Sequence, residues 1–302
     1  MRSFMSAFSS GVIRAVGMKR IYNSEKLCPL YMSYCAKVSA KTYRIPSLVR
    51  MDAQVDYHSF SNTDVVYIQK KDSKPKKFII YLHGGAYLEQ PVVFQWNFIK
   101  QVIHQTDAAV IAPVYNKTPR HTYEQAYTML YALYEELLKH AAPENIIFLG
   151  DSAGGGLSLA FAQDLLKTDL PQPGQLILLS PWVDVSMSND DMDALDKLDP
   201  NLSRKGLATI AKAWAGSTDL QNPRLSPLFG SNVGLAKTAL FVGMREMLLP
   251  DCRIYREKAL AEGVALTYVE EEGGNHCYPF YPTPEAKKAK KQIINLINTG
   301  RI

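Results

Sequence analysis

Short, continuous apolar runs punctuate this chain, separated by segments with a different period. Phe78–Leu82, Ala108–Val114, Ile146–Leu149, Leu176–Leu179, Ala239–Val242 and Leu266–Val269 are such runs. Runs this short, without polar alternation, predict strands covered on both faces, as in a parallel sheet. Between them the apolar positions fall three and four apart. Tyr127, Leu130, Tyr131, Tyr134, Leu137 and Leu138 mark a helix over 123–140, with a stripe broad enough to face a core. Helices are predicted likewise over 92–105, 153–162, 251–261 and 285–297. Two further strands, 55–60 and 65–69, flank the turn Ser61-Asn62-Thr63. Strand and helix in such alternation predict α/β architecture: a mostly parallel twisted sheet with helices on both faces.

Two stretches break the rhythm. Between Pro181 and about Ser226 no strand is predicted, and a polar loop rich in Asp and Asn leads into a helix over 203–215. An insertion after a strand, at the carboxyl edge of an open sheet, lies where ligands bind. Residues 1–20 place Phe4, Met5, Phe8, Val12, Ile13 and Val16 at helical spacing, with Arg2, Arg14, Lys19 and Arg20 and no acidic residue. The expectation is an amphipathic helix packing on its own protein, with contact at a membrane interface as the alternative. The segment lacks the continuous apolar core and small-residue cleavage site of a signal peptide. The chain therefore reads as a single domain over 1–302 whose cap is formed by 1–55 and 182–225.

The bulk properties narrow the classes without choosing among enzymes. The 302 residues suffice for one large α/β domain, and 47% hydrophobic with 21% charged residues is an ordinary globular balance. The net charge of +5 includes only short basic runs, Lys70-Lys71, Lys74–Lys77 and Lys287–Lys291. They read as solvated surface, so no nucleic-acid partner is expected. No run approaches the roughly 20 apolar residues of a membrane span, so no stable membrane insertion is expected. Cys28, Cys35, Cys252 and Cys277 form no C-x-x-C pair and no zinc-like spacing. Reduced thiols, a cytoplasmic location and no metal are the expectation. The sequence does not fix the oligomeric state and leaves a homodimer open.

The candidate chemistry sits at the ends of the predicted strands. Gly150-Asp151-Ser152-Ala153-Gly154 follows the Ile146 run and opens a helix. A strand, then G-x-S-x-G, then a helix is the form of a nucleophile elbow, which holds a serine hydroxyl at the head of the sheet. An ordinary serine in a glycine-rich loop is the alternative. His83-Gly84-Gly85-Ala86 follows the Phe78 run. Gly84, Gly85 and Ala86, with Ala153 after the serine, are candidates for backbone N–H groups that hold an oxyanion. A serine nucleophile needs a base and the base an orienting acid, in chain order serine, acid, histidine for such an elbow. His276, in Gly273-Gly274-Asn275-His276 after the last strand, is the one histidine that follows Ser152. Glu246, close to the end of the Ala239 strand, is the first choice for the acid. Asp251 is second, because an acidic residue opening a helix is a routine cap. His83 reads as a residue that holds its loop by hydrogen bonding.

These segments together resemble the hormone-sensitive-lipase-like branch of the α/β-hydrolases. The resemblance rests on His83-Gly84-Gly85-Ala86, Gly150–Gly155, Ser180-Pro181-Trp182, Ser226-Pro227-Leu228 and His276, and runs from about residue 60 onward. It implies an α/β-hydrolase fold and a serine carboxylesterase with Ser152, Glu246 and His276 as its triad. It also implies a small-molecule ester substrate with a short, for example acetyl, acyl group, and no cofactor. An acyltransferase to an alcohol other than water, or a non-catalytic binding protein on the same scaffold, are the alternatives. Three departures stand out. Ala86 replaces a third glycine, and its methyl narrows the acyl pocket. Glu246-Met247-Leu248-Leu249-Pro250-Asp251 replaces D-P-L-x-D, and Tyr115–Arg120 replaces Y-R-L-A-P-E.

Overall fold

The computed structural model describes residues 3–302. Eight strands form one sheet in the order β1 (Gln54–Phe60), β2 (Thr63–Gln69), β4 (Ala108–Pro113), β3 (Lys77–Leu82), β5 (Ile146–Asp151), β6 (Gln175–Leu179), β7 (Thr238–Gly243) and β8 (Leu266–Glu271). β2 runs antiparallel to both β1 and β4, and the other pairings are parallel. Each predicted strand is present, because the central runs bury both faces. Ile80, Leu82, Phe148, Leu178 and Leu240 enter one core with α5 (Tyr123–Leu138) and α6 (Ala153–Leu165). Ile79, Tyr81, Leu149, Ile177 and Phe241 enter the other with α4 (Val93–Gln105) and the final helix, Pro284–Thr299. Each large apolar side chain fully buried this way contributes about 1.5–3 kcal/mol.

The register sets the site. Leu82 pairs with Gly150 and Leu179 with Asp151. The loops after β3, β5 and β6 therefore leave the sheet side by side. Asp151 ends β5 and Ser152 follows at φ 53°, ψ −122°, before α6 begins at Ala153. A Cβ at Gly150 would lie 2.3 Å from the Gly154 carbonyl oxygen, and one at Gly154 would lie 2.0 Å from that of Leu82. The turn thus admits only glycine at both positions.

The two irregular stretches lie beside this edge. After β6 the chain forms α7 (Met192–Leu198), which the pattern does not announce, and α8 (Arg204–Ala215). The excursion is closed at its neck: the Leu228 N–H donates to the Val183 carbonyl at 2.9 Å and the Val185 N–H to Ser226 Oγ at 2.8 Å. The remaining helix of the sheet layers, α9 (Leu249–Ala261), starts two residues earlier than expected.

The first fifty residues depart most from expectation. They hold three helices, α1 (Phe4–Val16), α2 (Met18–Asn23) and α3 (Leu27–Ser39), with Gly17 at φ 80° breaking the first from the second. α1 does pack on the protein, but not through its apolar stripe. Its buried residues are Ser6, Ser9 and Ser10. Ser6 Oγ donates to the Gly273 carbonyl, and Ser10 Oγ and Asn275 share a hydrogen bond. Ser3 binds the Glu285 carboxylate through both its N–H and its hydroxyl, each at 2.8 Å. Hydrogen bonds to polar loop groups hold the serine side inward, so Phe4, Met5, Phe8, Val12 and Val16 point to solvent.

Candidate active site

Ser152, Glu246 and His276 come from three separate loops and meet in one hydrogen-bonded line. Ser152 Oγ lies 2.8 Å from His276 Nε2, and His276 Nδ1 lies 3.2 Å from Glu246 Oε1. A carboxylate facing Nδ1 fixes that nitrogen as the protonated one, leaving Nε2 to accept the Ser152 proton. Glu246 is fully buried, His276 nearly so, and Ser152 is 9% exposed. Glu246 is itself held: Oε2 accepts the Ser180 hydroxyl at 2.6 Å and the Gly243 N–H at 3.1 Å. Ser180 Oγ also accepts the Cys277 N–H at 3.0 Å, tying the loops after β6, β7 and β8 together. Asp251 is not in this line. It lies inside the first turn of α9, and its Oδ1 accepts from Asn189 Nδ2 at 2.8 Å. Burial pushes its carboxyl up to about 7, against the pull of Asn189.

Burial opposes charge on His276, yet its pKa rises well above the ordinary imidazole value. The Glu246 carboxylate on Nδ1 favours the imidazolium against desolvation. Cys277 Sγ sits 3.5 Å from His276 Nε2 and faces the same cavity. Burial raises this thiol to about 11, so it is neutral near pH 7 and a weak nucleophile.

The loop after β3 turns through three residues with positive φ: Gly85 at 113°, Ala86 at 54° and Tyr87 at 58°. Among the described residues no protein acceptor takes the amide N–H of Gly85 or Ala86. The Ala153 N–H opens α6, where the first amides lack intrahelical partners. Gly84 differs, for its N–H turns to the Asp151 carboxylate. His83 lies beneath this loop, stacked 4.4 Å from Tyr115, with Nδ1 2.7 Å from the Gly84 carbonyl oxygen. Burial and the nearby Lys117 push its pKa well below the ordinary value, so it is a neutral ring that shapes the loop.

Several supporting residues are not among the site candidates read from the sequence. The buried Asp151 accepts from Tyr81 Oη at 2.6 Å and Gln95 Nε2 at 2.9 Å. Asp199 accepts the N–H groups of Asn201, Leu202 and Met247 at 2.7–3.0 Å, joining the excursion to the Glu246 loop. Its Asp-Pro-Asn context is a turn signature that marks half of that network. Glu89 accepts the hydroxyls of Tyr22 and Tyr31, joining α2 and α3 to the loop after Ala86. Tyr87 stacks on Trp214 at 4.5 Å and on Trp182 at 5.6 Å, fixing the excursion to the same loop. Together these elements enclose a cleft of about 220 Å³ that reaches Ser152, His276, Gly85 and Ala86.

The profile of the α/β-hydrolase fold family matches residues 79–280, two-thirds of the chain. An esterase of Acinetobacter venetianus is 31% identical over 229 residues, covering 74% of this chain and 75% of that one. A triacylglycerol lipase of Mycobacterium tuberculosis is 28% identical over 216 residues, or 71% of this chain. The aligned part is only 45% of the lipase's length. An esterase/lipase structure from an uncultured bacterium superposes with a TM-score of 0.84 at 25% identity, covering 98% of both chains. The chain belongs to the α/β-hydrolase fold family and is an α/β-hydrolase of the esterase and lipase type.

Proposed function

We propose that the protein is a serine carboxylesterase acting on short-chain acyl esters through an acyl-enzyme. The line of hydrogen bonds from Ser152 through His276 to Glu246 carries this reading. Ser152 Oγ attacks the ester carbonyl carbon while its proton passes to His276 Nε2. Glu246, held by Ser180 and Gly243, orients the ring and stabilises the imidazolium. The oxyanion forms toward the amides of Gly85, Ala86 and Ala153, where fixed N–H dipoles lower the barrier by several kcal/mol. The C–O bond to the alcohol breaks, and the imidazolium proton leaves with the alcohol. A water then gives a proton to His276 and attacks the acyl carbon; the bond to Ser152 Oγ breaks, the imidazolium returns the proton to Oγ, and the carboxylic acid is released. Gly84 contributes space and the placement of Asp151, not an oxyanion donor.

The small cleft supports a short acyl group. Its volume falls below the roughly 300–1,000 Å³ typical of sites for drug-sized ligands, and the Ala86 methyl lies on its wall. Residues 1–55 and 182–225 act in this reading as the cap: Met18, Tyr22, Asn201, Leu202 and Leu207 all face the cleft. Ser152→Ala tests the proposal. It should abolish turnover of an aryl acetate and labelling by a fluorophosphonate while leaving the thermal melt intact. Undiminished turnover in the variant would sink the assignment.

A further inference from the structure

α1 presents an apolar face outward. Phe4 is 81% exposed, Phe8 60% and Val16 68%, with Met5 and Val12 also exposed. At 100° per residue these five, with Ala7, Gly11 and Ala15, cover one side of the helix, and the inward side is Ser6, Ser9 and Ser10. α3 repeats the arrangement on a smaller scale. Leu27, Leu30 and Tyr34 form an exposed i, i+3, i+7 stripe, and Lys26 and Lys37 lie exposed beside it. Contiguous apolar exposure of this kind marks a surface that contacts something other than water.

Charge identifies the occupant. Residues 1–50 hold nine Lys or Arg against one Glu, whereas residues 51–302 hold 25 against 28. The basic surplus of the whole chain therefore resides on the segment that carries the apolar face. That one acid, Glu25, is paired with Lys205, and of the cations Lys19 is paired with Asp196. A second copy docking through a two-fold axis would bring two such basic segments, with Arg14, Lys26 and Lys37 exposed, face to face. An anionic lipid surface complements it, accepting apolar side chains below the headgroups and cations among them. No helix among the described residues is long and apolar enough to cross a membrane. Reversible contact in the plane of the interface is therefore the geometry that fits.

We propose that the outward face of α1 is a docking surface for an anionic lipid–water interface, with Phe4, Phe8 and Val12 entering the acyl boundary. The surface is coupled to the candidate site through the bond of Ser10 to Asn275, the residue before His276. Exposed apolar side chains continue at the cleft itself, at Val92 and Phe94. The docking surface does not depend on the chemistry proposed for Ser152.

Co-sedimentation of the full chain with phosphatidylcholine vesicles, with and without equimolar phosphatidylglycerol, tests the surface. The wild-type chain should partition onto the anionic vesicles, less so as salt is raised, and only weakly onto the neutral ones. Phe4→Gln/Phe8→Gln/Val12→Gln should reduce partitioning by about tenfold or more, while aryl acetate turnover in solution stays at the wild-type level. Should the triple variant misfold, Phe8→Gln alone reads the same face. Failure to bind anionic vesicles, or equal binding by the folded variants, overturns the proposal. So does a wild-type dimer in light scattering that these substitutions convert to a monomer, since the face would then belong to a second copy.

Discussion

Ser180→Ala is the most searching perturbation of the site, because it touches neither the nucleophile nor the base. Ser180 is fully buried, donates to Glu246 at 2.6 Å and accepts the Cys277 amide at 3.0 Å. Alanine removes both bonds and fills neither position. A hydrogen bond to a charged group is worth about 1.5–3 kcal/mol, and an orphaned buried amide costs about 1–3 kcal/mol. Partial relaxation of the two loops brings the expected loss of stability to about 3 kcal/mol. At about 1.6 °C per kcal/mol for a chain of 302 residues, Tm should fall by roughly 5 °C. Activity should fall as well, since Glu246 then keeps only the Gly243 N–H on Oε2 and holds the imidazole less rigidly. A loss of about 1.4–2.8 kcal/mol in transition-state stabilisation is a tenfold to hundredfold drop in kcat/KM. Aryl acetate kinetics well below the melting point separate the two effects. In the Glu246→Gln background the same substitution should cost much less, because the two residues act as one unit. An Ser180→Ala enzyme with wild-type kcat/KM, or two penalties that simply add, would refute the idea that Ser180 acts through Glu246.

The remaining predictions concern the acid, the second carboxyl and the acyl wall. Activity should rise with pH as His276 loses its proton, with a midpoint above the ordinary imidazole value. Glu246→Gln removes an attraction that favours the imidazolium, so the pH–rate profile should show a lower midpoint together with a reduced plateau. Asp251→Asn should leave kcat/KM within about twofold and act on stability instead. The folded chain keeps the Asp251 proton up to about pH 7, whereas the unfolded chain releases it near the ordinary carboxyl value of 3.8. Stability from this group is therefore present at low pH and lost as pH rises through that window. Thermal melts should show the variant gaining on wild type as pH rises from 4 to 8, and a parallel offset would contradict this. Ala86→Gly should extend the acyl range. In an aryl ester series from acetyl to octanoyl, the wild type should favour the short end and the variant should improve on the longer esters. A wild-type preference for acyl chains beyond about six carbons contradicts the pocket reading, since the cleft is small for a drug-sized ligand.

What the sequence reveals and what it withholds follow from the range over which each constraint acts. The strands and the elbow are local: a buried parallel strand needs an unbroken apolar run, and the Ser152 turn needs glycine at 150 and 154 because backbone atoms lie within 2.3 Å of the missing Cβ. His276 is legible because a glycine pair after the final strand places it at the sheet edge. The direction in which α1 faces is not legible. Helical periodicity states that a helix has two sides, and only the tertiary partners state which one is inward. Here Ser6 and Ser10 bond to the polar loop at Gly273 and Asn275, so the apolar side is left outside. Which carboxylate faces His276 is likewise a matter of spatial arrangement: Glu246 lies 3.2 Å from Nδ1, whereas Asp251 is bonded to Asn189.

The same distinction explains why the site is ringed by buried carboxylates that the pattern does not single out. Asp151, Asp199 and Glu246 are buried and Glu89 is half-buried at the cleft wall, and desolvation pushes Glu89, Asp151 and Asp199 upward in pKa. A buried carboxylate without donors costs far more than any single packing contact returns. Each of the four is met by donors from elements distant in the chain: Tyr22 and Tyr31 for Glu89, Tyr81 and Gln95 for Asp151, the Met247 amide for Asp199 and Ser180 for Glu246. Docking the first fifty residues and the 182–225 excursion onto the sheet therefore supplies donors to Glu89 and joins Asp199 to the Glu246 loop, beside Ser152 and His276.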